Sequence, residues 1–372
     1  MKVLITIDWY YPAYRAGGPV TSVFNLVNAL KDEFDFWVLT SNKDYGNVDL
    51  AVPVNTWVNI AERHHVFYAS SLSAYLGQLK SVDFDVLVVN GIYSWKFSVL
   101  PVLLWRSYGK IIFPRGMLSQ HSLSLKSHRK KIFLFLAKML TFYKNTCFVA
   151  SSAAEQEEIK RIFPGKNVFM LENFVTLPEF HYPIEKKKGI LRLFSLGRLS
   201  PVKNYEFAME VMSRIIRGKI IWDIYGGVEN EDYFRKLKNK AAYMPASVDI
   251  NFKGNVSPDE LPKTISQYHF LFLPTRGENF GHAIYETLAA ARPVIISNRT
   301  PWSQIPQKKA IWDYPLEIEP FVDAIYKAMD MSQENFNELC YAAFSSAKEI
   351  FSRVNDRDKA KKILSLCKLK NR

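Results

Sequence analysis

The feature that most constrains this chain is a rhythm that runs twice. Short, continuous apolar runs of strand length alternate with longer stretches of helical periodicity. In the first half the runs fall at 3–7, 36–39, 86–89, 111–113 and 147–150, with helical stretches at 20–30, 93–106, 122–144 and 153–163. Strands that are apolar at every position are buried on both faces, which indicates a parallel sheet covered by helices. The rhythm breaks at Pro178, Pro183 and the run Lys186-Lys187-Lys188, so 176–190 reads as an interdomain linker. It then restarts, with strands at 191–196, 220–225, 248–252, 270–273 and 294–296 and helices at 204–216, 230–241, 257–267, 281–291 and 318–330. Ser257-Pro258-Asp259-Glu260 marks one helix start with an N-cap, an early proline and a capping-box glutamate. Two successive βα series predict an α/β chain of two Rossmann-like, doubly wound domains facing a cleft. The first spans 1–175 and the second 191–355.

Composition supports a globular chain of that size. The 372 residues are 48% hydrophobic and 23% charged, which excludes disorder and a fibre. Three widely spaced cysteines, Cys147, Cys340 and Cys367, form no CxxC pair, so neither a disulfide framework nor a zinc site is expected. No uncharged run approaches the ~20 residues that span a bilayer. Lys2 and Asp8 bracket too short a stretch for a signal-peptide core, so the expectation is a cytoplasmic protein. The formal net charge of +13 calls for an anionic partner.

Three segments carry chemistry. The strongest runs from Leu271 to Ser297 and reads as strand, tight turn, helix, strand. Gly277 and Gly281 bracket Glu278-Asn279-Phe280 where the strand hands over to the helix, presenting backbone N–H groups to a diphosphate. Glu278 and Glu286 can accept hydrogen bonds from vicinal hydroxyls, as on a sugar and a ribose. The same residues also fit an ordinary turn with two solvated glutamates. The second segment is Gly197-Arg198-Leu199-Ser200-Pro201-Val202-Lys203-Asn204, where Arg198 and Lys203 lie on one loop and can reach one diphosphate. The third is Gly17-Gly18-Pro19, between the first strand and the first helix. No Gly-x-Gly-x-x-Gly fingerprint or Walker lysine motif occurs, which argues against a dinucleotide oxidoreductase and a P-loop NTPase. Asp83-Phe84-Asp85 matches an Asp-x-Asp metal pattern, but it precedes a strand and reads as a cap at the strand's start.

Taken together these stretches resemble family 4 glycosyltransferases of the kind that build bacterial surface polysaccharides and lipopolysaccharide. Gly-Arg-Leu-x-x-x-Lys-Asn, Gly-Glu-Asn-Phe-Gly-His-Ala-Ile-Tyr-Glu and Arg-Pro-Val-Ile-Ile-Ser look like the family's C-terminal domain. Gly-Gly-Pro and Pro114-Arg115-Gly116-Met117-Leu118-Ser119 look like its N-terminal domain. The resemblance implies the GT-B fold, hexosyl transfer from a nucleotide-diphosphate sugar with retention of configuration, and neither metal nor other cofactor. It implies that Arg198 and Lys203 neutralise the donor diphosphate and that Glu278 contacts the transferred sugar. The amides of Asn279, Phe280 and Gly281 would line phosphate and sugar, Glu286 would hold the ribose, and Gly18 would sit near the diphosphate. Gly17, Arg115 and His121 are the candidates for sugar or acceptor contacts, Arg115 or His121 replacing a histidine that the family often carries. Ala291 stands where the family has glycine; alanine does not favour positive φ, so the helix end is expected to differ. The family also implies that a terminal helix, here 356–372, returns to the N-terminal domain.

The charge is unevenly placed. Residues 86–154 hold ten basic and no acidic side chains, and 359–372 hold six more. Within 126–144 basic residues mix with Phe and Leu, as in a helix lying in an anionic membrane interface. A buried helix with a solvated basic end fits the same pattern. The expected partners are a nucleotide sugar, a glycan or lipid-linked acceptor, and the anionic cytoplasmic face of a membrane. The alternatives are another GT-B enzyme, an epimerase or a phosphorylase, or a nucleic-acid-binding protein, against which stands the lack of any nucleic-acid motif.

Overall fold

The computed structural model describes residues 1–105, 109–119, 122–123, 127–305 and 309–366. His121, Arg106, Lys126 and the last six residues lie outside that set. The chain divides into two compact units, Met1–Val175 with the stretch from Arg353 onward, and Thr176–Ser352. Both have a parallel, helix-covered sheet, so the architecture is the expected α/β pair of doubly wound domains.

The main sheet of the first unit has eight strands in the order Val168–Met170, Thr146–Ala150, Lys110–Phe113, Val86–Asn90, Lys2–Thr6, Asp35–Ser41, His64–Ala69 and Trp57–Ala61, beside a small ribbon of Lys43–Asp44 and Val48–Asp49. The continuous apolar runs are the central strands, and Val86–Asn90 is buried at every position. One edge departs from the parallel expectation. Trp57–Ala61 pairs antiparallel with His64–Ala69, because only two residues separate them and a crossover needs many more. The Asp83-Phe84-Asp85 stretch caps a strand as read: the Lys2 amide donates to Asp85 Oδ2 at 2.8 Å. The helix expected at 20–30 begins two residues earlier, at Gly18, after Gly17 with φ 77°. The stretch expected as one helix over 93–106 is a π-helical turn, Trp95–Val99, followed by Leu100–Leu104. The expected 122–144 helix is regular over Ser127–Met139.

A helix at Arg357–Leu366 belongs to this unit as well, and its Ala360, Ile363 and Leu364 lie in the same core as Val3, Ile5 and Phe36.

The second unit holds six parallel strands in the order Val248–Gly254, Lys219–Tyr225, Ile190–Leu196, Phe270–Leu273, Val294–Ser297 and Ile311–Tyr314. Its core centres on Trp222, Phe272, Phe321 and Phe336. The long helix Gln333–Val354 is absent from the sequence reading. The capping box holds at its first turn, where Ser257 Oγ donates to Glu260 at 2.9 Å, but regular helix follows only over Leu261–Ile265.

The segment 176–190, read as the interdomain linker, is part of the second unit. Lys186 Nζ donates to the carbonyls of Lys187, Ile190 and Met329, and Gln333 binds the Lys186 amide at 2.6 Å. Arg292, fully buried, donates to the carbonyls of His181 and Tyr182 in that segment and to those of Ser266, Tyr268, Ala290 and Ala291. Ala291 corrects a further expectation. It adopts φ 57°, with the Ala291 amide on Leu288 O and the Arg292 amide on Thr287 O, the two bonds of a Schellman motif. The helix therefore ends as it would with glycine, and the buried Arg292 that follows anchors this turn through its carbonyl partners.

Candidate active site

In an open parallel sheet, ligands bind beyond the carboxyl ends of the strands, at the point where the strand order reverses. In the second unit that point lies between Ile190–Leu196 and Phe270–Leu273, since the chain first builds outward through 219–225 and 248–254 and then returns. Both chemistry-bearing loops of this unit leave the sheet there.

The loops are tied to each other. The Arg276 amide donates to Val202 O at 2.8 Å and Thr275 Oγ1 to the same carbonyl at 3.0 Å. Asn204, left-handed at φ 60°, donates to Pro274 O and accepts from Arg276 Nε at 3.0 Å. This brace brings Lys203 to Glu278, Nζ to Oε1 2.7 Å, with only 18% and 12% of the two side chains exposed. Gly197 makes room for the lysine, because a Cβ there would lie 2.8 Å from Lys203 Cε. The neighbouring turn approaches as closely: a Cβ on Gly226 would meet Gly197 O at 2.0 Å. Only glycine allows these two turns to touch.

Glu286, in the helix His282–Ala289, is the second carboxylate. Burial pushes it up to about 7, opposed by the charge of Lys203. Lys203 therefore serves two acidic side chains. Arg198 is more open and pairs with Glu229 at 3.4 Å. At the helix start Gly281 has φ 83°, and the N–H groups of Phe280 and Gly281 donate to no described residue. Trp302 Nε1 donates to Phe280 O at 2.5 Å and pins this turn. The structure thus brings Arg198, Lys203, Glu278, Asn279, Phe280, Gly281 and Glu286 to one strand-end rim. Arg276 is a further cation there that the sequence reading passed over; its place between Pro274 and Gly277 was the available signal. Beside the rim, Tyr225, Asn255, Val256, Glu260, Lys263, Thr264 and Gln267 line a cavity of about 380 Å³.

The remaining candidates lie in the first unit. Gly17 and Gly18 open its first helix. Arg115, at φ 56°, turns inward: Nη1 donates to Asn173 Oδ1 at 2.5 Å, and Nε and Nη2 both donate to Asn90 Oδ1 at 3.2 Å. Its guanidinium lies over the Phe113 ring at 4.6 Å, and burial pulls it down to about 10. In this arrangement it braces strand ends. His121 lies outside the described residues. Among the described residues no cluster of three or more His, Cys, Asp or Glu is placed to hold a metal ion.

Two Rossmann-like units, with glycine turns, cations and carboxylates gathered at the switch point of the second, define the GT-B fold of the glycosyltransferases. The family model described as glycosyl transferases group 1 matches residues 178–340, within the second unit. The chain is 23% identical over 249 residues to an uncharacterized glycosyltransferase of Methanocaldococcus jannaschii, covering 62% of this chain and 62% of that protein. It is 22% identical to an uncharacterized 41.2 kDa protein in the cps region of Klebsiella pneumoniae, covering 59% of this chain and 62% of that one. Both matches span less than two thirds of those relatives. Among solved structures, Anabaena Alr3699/HepE in complex with UDP and glucose superposes with a TM-score of 0.71 over 98% of this chain and 99% of that one, at 13% identity.

Proposed function

We propose that this protein transfers a hexosyl group from a nucleoside-diphosphate sugar to a glycan or lipid-linked glycan, with retention of configuration and without a metal ion. The observation that carries the reading is Lys203, paired with Glu278 at the switch point and close enough to Glu286 for its charge to oppose the effect of burial there, beside Arg198 and the amides of Phe280 and Gly281. In the transfer the bond from the anomeric carbon to the diphosphate oxygen breaks, and its electron pair leaves with the diphosphate. A bond to the acceptor oxygen forms on the same face, and the acceptor's proton passes to the departing phosphate. Fixed cations and amides aimed at the growing negative charge would supply several kcal/mol of stabilisation. Glu286 would accept the ribose hydroxyls, and the cavity beside the rim has room for a base. The family domain and the UDP complex of the Anabaena protein support the donor class. The cps-region relative supports a place in surface-polysaccharide assembly.

The acceptor would be met at the cytoplasmic face of an anionic membrane. Along Ser127–Met139 and the next residue, Ile132, Phe135, Leu136, Met139 and Leu140 are 47–72% exposed beside Arg129, Lys131 and Lys138. Among the described residues no helix is long and apolar enough to cross a membrane. Pelleting with anionic but not neutral vesicles is the expected result; equal binding to both, or to neither, would overturn this part.

For the transfer itself, a panel of UDP-, GDP- and ADP-sugars should raise the melting temperature, with activity persisting in EDTA. Lys203→Ala should weaken donor binding at least about tenfold, since hydrogen bonds to charged groups contribute ~1.5–3 kcal/mol. An unchanged donor affinity would refute the site.

A further inference from the structure

The helix Gln333–Val354 of the second unit turns aromatic side chains outward, where a solvent face is ordinarily charged. Its inner face holds Cys340, Ala343 and Ala347, all buried. Tyr341, Phe344 and Lys348 share one stripe on the other side, at helical spacing. Two further rings come from the segment that precedes the sheet. Phe180 stacks on Tyr341 with the planes 3° from parallel and the centroids 5.2 Å apart. It meets Tyr182 and Phe344 edge-on at 5.3 and 5.2 Å. Tyr182 and Tyr341 remain 77% and 56% exposed. All of these residues belong to the second unit.

The rings are fixed in place. The buried Arg292 donates to His181 O and Tyr182 O at 3.2 and 2.9 Å, which clamps the backbone that carries Phe180 and Tyr182. A ligand meeting rings already held still loses little entropy in ordering them. Size, charge and chemistry then say what fits. The exposed parts of the rings amount to on the order of 400 Å², the size of a functional patch on a monomer and about half of what each partner in a stable protein pair buries. The nearest charges balance, with Glu179 next to Phe180 and Lys348 Nζ over the Phe344 ring at 5.0 Å. That balance offers no grip to a polyanion or an anionic headgroup. Each exposed tyrosine has an apolar face and a hydroxyl at its edge. A pyranose ring has the same division, with C–H groups on its face and hydroxyls around its rim.

We propose that this platform is a second carbohydrate site, separate from the donor rim, which takes neutral glycan rings face-on against Tyr182 and Tyr341. Its place in the fold gives its use. Arg292 lies just past the helix His282–Ala289, whose other end, at Gly281, belongs to the rim. From Gly281 to Ala291 the chain climbs about 15 Å along the helix axis. The platform therefore stands at the opposite end of that helix from the donor site. A glycan held there is gripped several rings away from its reacting end. The inference rests on the transferase reading: the platform retains the older part of a glycan while the newer end is extended.

The test uses the full-length protein in native gels cast with dextran, mannan or galactomannan, and UDP, GDP and ADP binding is measured on the same samples. At least one polysaccharide should retard the wild type. Tyr182→Ala and Tyr341→Ala should each weaken that binding fivefold or more while nucleotide affinity stays within twofold. Tyr341→Phe, which keeps the ring, should retain most of it. Lys203→Ala should do the reverse, losing nucleotide and keeping polysaccharide. No retardation by any of the three, or retardation unchanged in both alanine proteins, would overturn the proposal and leave the transferase reading standing. So would a dimer of the wild type that either alanine substitution turns into a monomer in light scattering, since the patch would then be covered by a second copy. Failure of every nucleotide to bind the wild type would instead strike at the transferase reading.

Discussion

Replacing Glu286 by glutamine should make the second unit more stable and its donor site weaker, and the size of the gain should depend on pH. The folded protein lifts this carboxyl from 4.5 to about 7 by burial. The native state therefore holds the proton more tightly than the unfolded chain does. Its contribution to stability is complete below the unfolded value and is lost as pH rises through the folded one. At about 1.4 kcal/mol per pH unit, the loss has a ceiling of roughly 3 kcal/mol by pH 8. The side chain keeps some exposure to water, and solvent screening trims that to about 1–2 kcal/mol. Glutamine has no proton to lose. Urea titrations of both proteins should coincide near pH 4.5 and separate steadily up to pH 8, the glutamine protein being the more stable. Nucleotide affinity at pH 8 should fall about tenfold, because the carboxylate's charged hydrogen bonds are gone. A stability difference that is flat across this range, or a glutamine protein weaker than wild type at pH 8, would show that burial does not hold the carboxyl up.

Two further substitutions test how the site is supported. Arg292→Met keeps the bulk but removes every donor to six carbonyls, so the second unit should lose about 3–5 kcal/mol, read by urea denaturation. Arg292→Lys should recover part of that loss, and limited proteolysis should cut 176–190 faster in the methionine protein than in either of the others. Gly226→Ala places a methyl against Gly197 O, so it should cost at least about 2 kcal/mol in melting experiments and weaken nucleotide binding by displacing the Arg198 turn.

What could be read from the sequence was what depends on near neighbours. The central strands announced themselves because both faces are covered, as at Val86–Asn90 and Phe270–Leu273. The two site loops were visible because a glycine closes each strand and a helix opens after it. The antiparallel edge was missed because His64 and His65 interrupt an apolar run; burial there comes with polar contacts, such as His65 to Asn59 and Asp35. The helix Gln333–Val354 was missed because its buried stripe includes Cys340, Ala343 and Ala347, small residues that carry a faint apolar signal. Arg292 looked like part of a motif, yet its partners are carbonyls up to 111 residues away. Lys203 and Glu278 were both singled out, but their pairing across 75 residues is a product of the brace between two loops.

The discontinuity of the first unit has a consequence for how the chain is made. Ala360, Ile363 and Leu364 complete a core whose other members begin at Val3. On a ribosome the whole of 176–352 emerges before those three residues do. The first unit must therefore wait, with part of its apolar surface open, while the second is synthesised and free to fold as a unit. The order in which the two halves reach their final state is then the reverse of their order in the chain. A chaperone that shields the early half would be needed most during that interval.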